Sequence, residues 1–395
     1  MQSRLLNSSS APARQTLSSA VLSFGFGLTG AGIVMLGVLL PILAQRWTLN
    51  DEAAGVLLFL QFFGSSLGAI FTTLHRVHSL IRGYALLVLS MAVIAFSGAH
   101  APFAAFFFYG LGLGMVMTAT SLLITDRSQD ESAAKLEALN FIWSVGAMAG
   151  PLLFLPFLHQ ADVRTLFFFL LALFLLLLAW VVFAERRPSP GIEPHAPRAA
   201  APGAFAALLP LVILAMCAVG VEAALSGWLT TYSHRAGLHS LAGAALATSL
   251  FWLGEMLSRL AFSTRLLAAI GRRATLYATV CGALVTVCAL IAAPYPWAIL
   301  VLSAAAGICI GPLYPLLLSF MLERSARGWI FAVGGIGAAL FPWLTGALSS
   351  HLGSLRYGLV APCSAALIMA VVIVWMRFAA MRRAAAPQPD TPAHS

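Results

Sequence analysis

Between Ser18 and Ala380 the chain is a succession of twelve apolar runs, each at or near the ~20 residues that a helix needs to cross a hydrocarbon layer about 30 Å thick. They fall roughly at 18–45, 53–74, 81–98, 101–125, 137–158, 165–184, 205–231, 241–263, 274–292, 296–321, 328–350 and 357–380. In hydrocarbon no water is at hand for backbone N–H and C=O groups, so such runs must close their hydrogen bonds internally, as helices. A water-soluble fold is excluded by composition. Hydrophobic residues make up 61% of the 395 positions and charged residues 9%, against about 25% charged in an ordinary soluble domain. The expected fold is an all-α membrane protein with twelve transmembrane helices.

Charge gives the orientation. Of 22 Lys and Arg residues, 18 fall in the segments that share a side with both termini, and four (Arg46, Arg164, Arg235 and Arg356) fall on the other. Cytoplasmic loops collect positive charge, so both termini are expected in the cytosol of a plasma (inner) membrane protein. The net charge of +9 then reads as topology and not as a nucleic-acid surface. The polar, basic start, residues 1–17, is expected to be a cytosolic tail, because the run after it is too long for a signal-peptide core. The five cysteines all lie inside apolar runs without metal-ligand spacing, and read as small packing residues.

One connector is longer than the rest: ERRPSPGIEPHAPRAAAPG, 185–203, whose prolines and charges mark a flexible linker. It divides the chain into helical bundles at 18–184 and 204–380, with a C-terminal tail at 381–395. The halves repeat. Gly30 and Gly37 in the first helix match Gly220 and Gly227 in the seventh, a register that places Glu222 opposite Gly32. Gly110 and Gly114 match Gly307 and Gly311, and GAMAGP (146–151) matches GAALFP (337–342). Internal symmetry of this kind is a mark of transporter folds.

Two pseudo-symmetric six-helix bundles joined by such a linker resemble the major facilitator superfamily, over nearly the whole chain. Within it the likeness is nearest to the fucose-permease-like sugar porters. It is carried by LGVLLPILAQRWTLNDEAAG (36–55), LNFIWSVGAMAGP (139–151), VGVEAALSGWLTTY (219–232), FWLGEMLSRL (251–260), GICIGPLYPLLLSF (307–320) and FAVGGIGAALFPWLTG (331–346). The superfamily loop signature Gly-x-x-x-Asp-Arg-x-Gly-Arg-Arg is degenerate after helix two, where Gly68 is followed by HRVHSLIRG at 75–83. Its second-half counterpart is better kept, as Gly254, Arg259 and GRR at 271–273. Symporters of the fucose type carry an aspartate where Gly37 stands and a glutamate where Met117 stands, so both usual coupling acids are replaced. The resemblance implies the fold, alternating-access transport of a small-molecule substrate, and a monomer in the lipid bilayer.

Glu222 is the first candidate site residue. A carboxylate at bilayer depth costs several kcal/mol on insertion scales. It must therefore face protein or a water-filled cavity, where it would bind substrate hydroxyls, a proton or a cation such as sodium. The alternatives are a structural hydrogen bond to a neighbouring helix and a position nearer the outer interface. Glu255 and Arg259, four apart on helix eight, suit an intrahelical ion pair. With Arg272 and Arg273 they are expected to control the gate, the bland alternative being a surface pair of little worth.

By the resemblance, Asn140 and Trp143 occupy places where sugar porters carry a Gln and an Asn that face the sugar. An amide bonds hydroxyls and an indole stacks on the apolar face of a pyranose. Gln61, Trp252 and Tyr314 complete the candidate substrate site. Thr118, Thr120 and Ser121 are weaker candidates, because hydroxyls in lipid usually bond their own backbone. Trp228 and Tyr232 read equally well as interfacial anchors. Gly146, Gly150, Pro151, Gly337 and Pro342 are expected to pack and bend helices.

No Walker loop, nucleophile constellation, metal cluster or dinucleotide fingerprint appears, so no enzyme, cofactor or metal is expected. The favoured reading is a secondary active transporter, a symporter of a sugar or similar polyol. The alternatives are a polyspecific drug or metabolite exporter and a non-transporting membrane receptor.

Overall fold

The computed structural model describes residues 18–72, 75–97, 102–126, 132–159, 163–185, 204–262, 269–323 and 329–385. The N-terminal tail 1–17, the linker from residue 186 to 203, and residues 386–395 lie outside them. The first half holds α1 (Ser19–Arg46), α2 (Asp51–Phe71), α3 (Arg76–Ser97), α4 (Pro102–Asp126), α5 (Ser132–Leu153), the short α6 (Leu155–His159) and α7 (Val163–Glu185). The second half holds α8 (Ala204–Arg235), α9 (Leu241–Phe262), α10 (Arg272–Ala292), α11 (Pro296–Ile310), α12 (Leu313–Leu322), α13 (Trp329–Leu352), α14 (Leu355–Gly358) and α15 (Val360–Ala385).

Eleven helical stretches among the described residues are long and apolar enough to cross a membrane. The α5–α6, α11–α12 and α14–α15 pairs each count once in that set. The twelfth expected crossing is α13, which has the length at 24 residues and packs between α2 and α8. Proline accounts for two of the interruptions. Pro151 lies three residues before the α5–α6 break, and Pro312 caps α12 directly after α11 ends.

The repeat read in the sequence is present in the packing. In the first half α1 packs on α5, α2 on α4, and α3 on both α4 and α7. In the second half α8 packs on α13, α9 on α11, and α10 on both α11 and α15, which is the same set of neighbours. Lipid is as apolar as leucine, so burial does little to bring such helices together; close approach through small residues does. Gly64 and Gly68 lie against the α4 backbone at Phe107 and Leu111, and Gly110 and Gly114 lie against α2 at Gln61 and Ser65. Gly307 against Phe251 and Gly254 against Ala304 form the second-half equivalent. Gly146 meets the Gly27 carbonyl of α1, Gly150 packs on Ala31, and Gly337 meets the Met216 carbonyl of α8. Arg76 pairs with Asp126 across the α3 and α4 ends, as Arg272 pairs with Glu323 at 2.5 Å across the α10 and α12 ends.

Burial separates inner from outer helices. In α1, 83% of the apolar window is buried, against 33% in α7. Phe96, Phe183, Val285 and Trp375 stand exposed on the periphery. A dense set of such side chains is a liability in water and the expected contact surface in lipid. Cys288 and Cys363 bring their thiols to 3.1 Å on that periphery, between α10 and α15.

The halves meet along α1–α8, α2–α13 and α5–α9. They are latched at the end where α1 finishes and α2 begins. Both terminal nitrogens of Arg235 donate to the Asp51 carboxylate at 2.7 Å, and Ser349 Oγ donates to the same carboxylate at 2.5 Å. The Glu52 amide donates to Ser350 Oγ at 2.8 Å. Arg235 is nearly half exposed, so solvent screening holds this ion pair to about 1 kcal/mol. Asp51→Asn is expected to loosen that end about five-fold, the equilibrium equivalent of ~1 kcal/mol. The measurement is labelling of a Ser226→Cys reporter by a water-soluble maleimide. Unchanged labelling would show that the latch holds nothing.

Candidate functional site

The GPLYP stretch at 311–315 builds the centre of the second half. Proline has no N–H, so Pro315 cannot take the helical bond of the carbonyl four residues earlier, which is that of Gly311. Arg259 takes it instead, donating from Nε to the Gly311 oxygen at 3.2 Å. The absence of side chains at Gly307 and Gly311 lets α9 come close enough. A Cβ on Gly311 would stand 2.8 Å from both Cγ and the carbonyl oxygen of Glu255.

Arg259 then gathers a cluster across the seam of the halves. Its Nη1 donates to Ser144 Oγ of α5, 3.4 Å away in the first half. Its Nη2 forms the ion pair with Glu255, one turn earlier on α9, and lies 3.6 Å from Glu222 Oε2 of α8. Glu255 is fully buried, whereas the side chains of Glu222 and Arg259 keep 17% and 24% exposure. Tyr314 of α12 lies within electrostatic reach of Glu222 and rests against Gly334 of α13.

Trp143 of α5 meets Trp252 of α9 edge to face at 5.2 Å, also across the seam. Trp252 donates its indole N–H to Ser226 Oγ at 3.2 Å, while the indole nitrogen of Trp143 is buried without a partner. An unpaired buried donor of this kind costs free energy until something accepts from it. The seam thus offers a charged triad, an aromatic pair and a free indole donor.

The model of the Major Facilitator Superfamily matches residues 22–328. The chain belongs to the major facilitator superfamily. No curated protein matches the sequence. As a major facilitator protein it is a secondary transporter of a solute, embedded in a membrane through many crossings.

The structure brings Glu222, Glu255 and Arg259 into one cluster, although the sequence pattern divides them between substrate site and gate. Trp143, next to Ser144 in the chain, and Trp252, three residues before Glu255, pack on each other at the same seam. Arg272 is held apart. It pairs with Glu323, donates to Ser319 Oγ at 2.7 Å and stacks over Phe320 at 4.3 Å, while Arg273 is exposed. Arg259 therefore does not share a rim with those two residues and, pointing into the seam, is not an orientation charge.

Asn140, one turn from Trp143, is exposed. Gln61 is fully buried and ties α2 to α1, donating to the Ile33 carbonyl at 2.8 Å, with its own Oε1 unpartnered. Ser121 bonds its own helix at Met117, and Thr120 is buried without a partner. Trp228 is no interfacial anchor: it is wholly buried and donates to the Pro342 carbonyl at 2.8 Å, joining α8 to α13. Tyr232 is likewise buried, donating to the Leu290 carbonyl at 2.6 Å. Nothing in the sequence marks Ser144 or Ser226, because a serine in a spanning helix gives no signal of which face it takes.

Proposed function

We propose that this transporter moves a small polyol of monosaccharide size along the seam between its halves. The observation that carries the reading is the partly exposed Glu222–Arg259 pair, on helices otherwise closely packed, beside the Trp143–Trp252 rings. Carboxylate, guanidinium and indole N–H groups are what sugar hydroxyls bond, and aromatic faces are what the apolar side of a pyranose covers. Asn140, exposed one turn away on α5, supplies an amide to the same path. With both termini cytosolic in the inner membrane, the Asp51–Arg235 latch closes the outer end. The substrate then enters or leaves on the inner side in this state. Arg272 and Arg273, at the opposite end of the second half, belong to the inner gate. Transport proceeds as the halves rock around the triad, and coupling requires that a proton or sodium ion favour one state over the other.

The test is counterflow in proteoliposomes with D-glucose, D-galactose, L-fucose and D-mannitol, at two pH values and with or without sodium. Accelerated exchange of at least one of these is expected, with Glu222→Gln reducing it at least ten-fold or abolishing its pH dependence. A Glu222→Gln variant with wild-type rate and pH profile would remove that residue from the mechanism. A second reading, a polyspecific exporter of cationic amphipaths anchored on Glu222, draws on the excess of carboxylates over guanidinium in the triad. Extrusion of a cationic dye without exchange of any sugar would favour it.

A further inference from the structure

Helix packing brings together two of the five cysteines, which nothing in their spacing would pair. Cys288 lies about one turn before the end of α10, and Cys363 about one turn after the start of α15. They are 75 residues apart in the chain, yet their sulfurs stand 3.1 Å from each other. Both are free thiols on the periphery, Cys288 exposed and Cys363 half-buried.

The backbone on both sides of the pair is held. Tyr232 of α8 donates to the Leu290 carbonyl at 2.6 Å, just after Cys288. Arg356 of α14, shortly before Cys363, donates from Nη2 to the Ala293 carbonyl at 3.1 Å. The thiols therefore meet where α10 and the start of α15 are already tied together. Disulfide sulfurs lie about 2.0 Å apart, so closing the bond asks for about an ångström of side-chain rotation and no change of packing. Metal binding is the other use of paired thiols. Among the described residues, however, no group of three His, Cys, Asp or Glu side chains is placed to hold an ion.

We propose that Cys288 and Cys363 are a modification site, where an intrachain disulfide staples α10 to α15. The oxidant is another disulfide, of the small-molecule or protein dithiol class. One cysteine attacks it as the thiolate, giving a mixed disulfide and releasing one thiol. The other cysteine then attacks the mixed disulfide, which forms the Sγ–Sγ bond and releases the second thiol. The pair gives up two electrons and two protons, and the oxidant takes them. The site lies at the helix ends on the side opposite both termini. With those termini cytosolic, that side faces the compartment in which disulfides form and persist.

Both helices belong to the second half, so the bond does not cross the seam and leaves the halves free to rock. It steadies the half itself, because a closed loop limits what the unfolded chain can explore. Through Tyr232 it also braces the end of α8, whose Arg235 makes the latch with Asp51. The pairing stands on geometry alone; only its compartment rests on the proposed orientation.

The experiment starts from the reduced full-length chain in lipid, as wild type and as a variant with Cys217, Cys281 and Cys309 replaced by alanine. The probe is 4,4′-dithiodipyridine, a disulfide that enters membranes. The variant is expected to release two pyridinethiones per chain, to lose the mass of two hydrogens and to keep no pyridyl adduct. Digestion of the oxidised wild type is expected to yield a peptide pair joined through Cys288 and Cys363. Its melting temperature is expected to rise by about 5 °C on oxidation, a gain that Cys288→Ser removes. Two pyridyl adducts retained per chain would show that the thiols do not reach each other, and would overturn the proposal. Thiols that do not react at all would overturn it too. A covalent dimer on non-reducing electrophoresis would put the bond between copies and overturn the intrachain assignment. None of these readouts uses transport, so failure here leaves the transporter reading to the counterflow test.

Discussion

Arg259→Met is expected to lower initial transport rates at least a hundred-fold while leaving much of the side-chain volume in place. Removing one partner of a buried ion pair costs about 3–5 kcal/mol, because the remaining charge is left uncompensated. Here two carboxylates are stranded at once, one fully buried and one partly exposed. The Gly311 carbonyl loses the donor that replaces its missing helical bond, and Ser144 loses its link to the second half. At a factor of ten per ~1.4 kcal/mol, the lower limit of that cost already exceeds two orders of magnitude.

Arg259→Lys separates charge from geometry. An ammonium on a flexible stem cannot reach Gly311, Ser144 and two carboxylates in the fixed fork of a guanidinium. Its rate should therefore fall between those of methionine and wild type. Combining Arg259→Met with Glu255→Gln removes one stranded charge, and is expected to recover thermal stability without recovering transport. The checks are initial rates in proteoliposomes and melting temperature in detergent. A methionine variant that transports at the wild-type rate would make the triad a bystander.

Much of this architecture was legible before any coordinates. The apolar runs mark the crossings because hydrocarbon leaves the backbone no other solution. The glycine register between the halves survives because glycines sit where helices touch, and the touching pairs are the same in both halves. What could not be read was which way polar residues face. Helices α4 and α8 have no one-sided apolar face, so no amphipathic stripe indicates their inner side. Arg259, four residues after Glu255 and close to GRR at 271–273, has the sequence of a surface pair at a membrane edge. Only the packing of α9 on α11, through Gly307 and Gly311, turns it into the seam.

The latch was hidden for a different reason. Asp51 and Arg235 are 184 residues apart, and each alone is an ordinary loop charge. A usable signal did exist. Arg235 is one of only four basic residues in the turns on the side opposite both termini. An acid at the start of a neighbouring helix on that side is then a candidate partner. Trp228 was obscured because a tryptophan near a helix end fits both an interfacial belt and a buried bridge, and α8 runs far enough to bury it.

Gly37→Val is expected to hold the Asp51–Arg235 end of the seam apart and to cut transport at least ten-fold without unfolding either half. A Cβ at this position would lie 2.7 Å from the Ser226 carbonyl oxygen, 2.8 Å from Gly227 Cα and 2.9 Å from the Gly227 oxygen. Ordinary carbon contacts run to about 3.5–4.0 Å, so the two helices must part by roughly an ångström. No flexible side chain can yield here, because the obstacles are backbone. Overpacking of this kind costs about 1–3 kcal/mol, and it is charged only to the state in which α1 and α8 touch. The equilibrium therefore moves toward the other state, and a transporter confined to one state does not cycle.

Gly30→Val supplies the contrast. Its would-be Cβ collides with the backbone of Trp143 and Ala147 inside the first half. Rocking the halves cannot relieve that clash, so this variant should lose melting temperature and yield instead of shifting state. The readout for Gly37→Val is the distance between spin labels at Leu49→Cys and Leu238→Cys, one in each half, in a chain whose five native cysteines are replaced. The distribution should move to longer distances in Gly37→Val with little change in melting temperature. A wild-type distribution would mean that α1 and α8 do not form the closing contact. A collapse in stability equal to that of Gly30→Val would mean that the two halves do not fold as separable units.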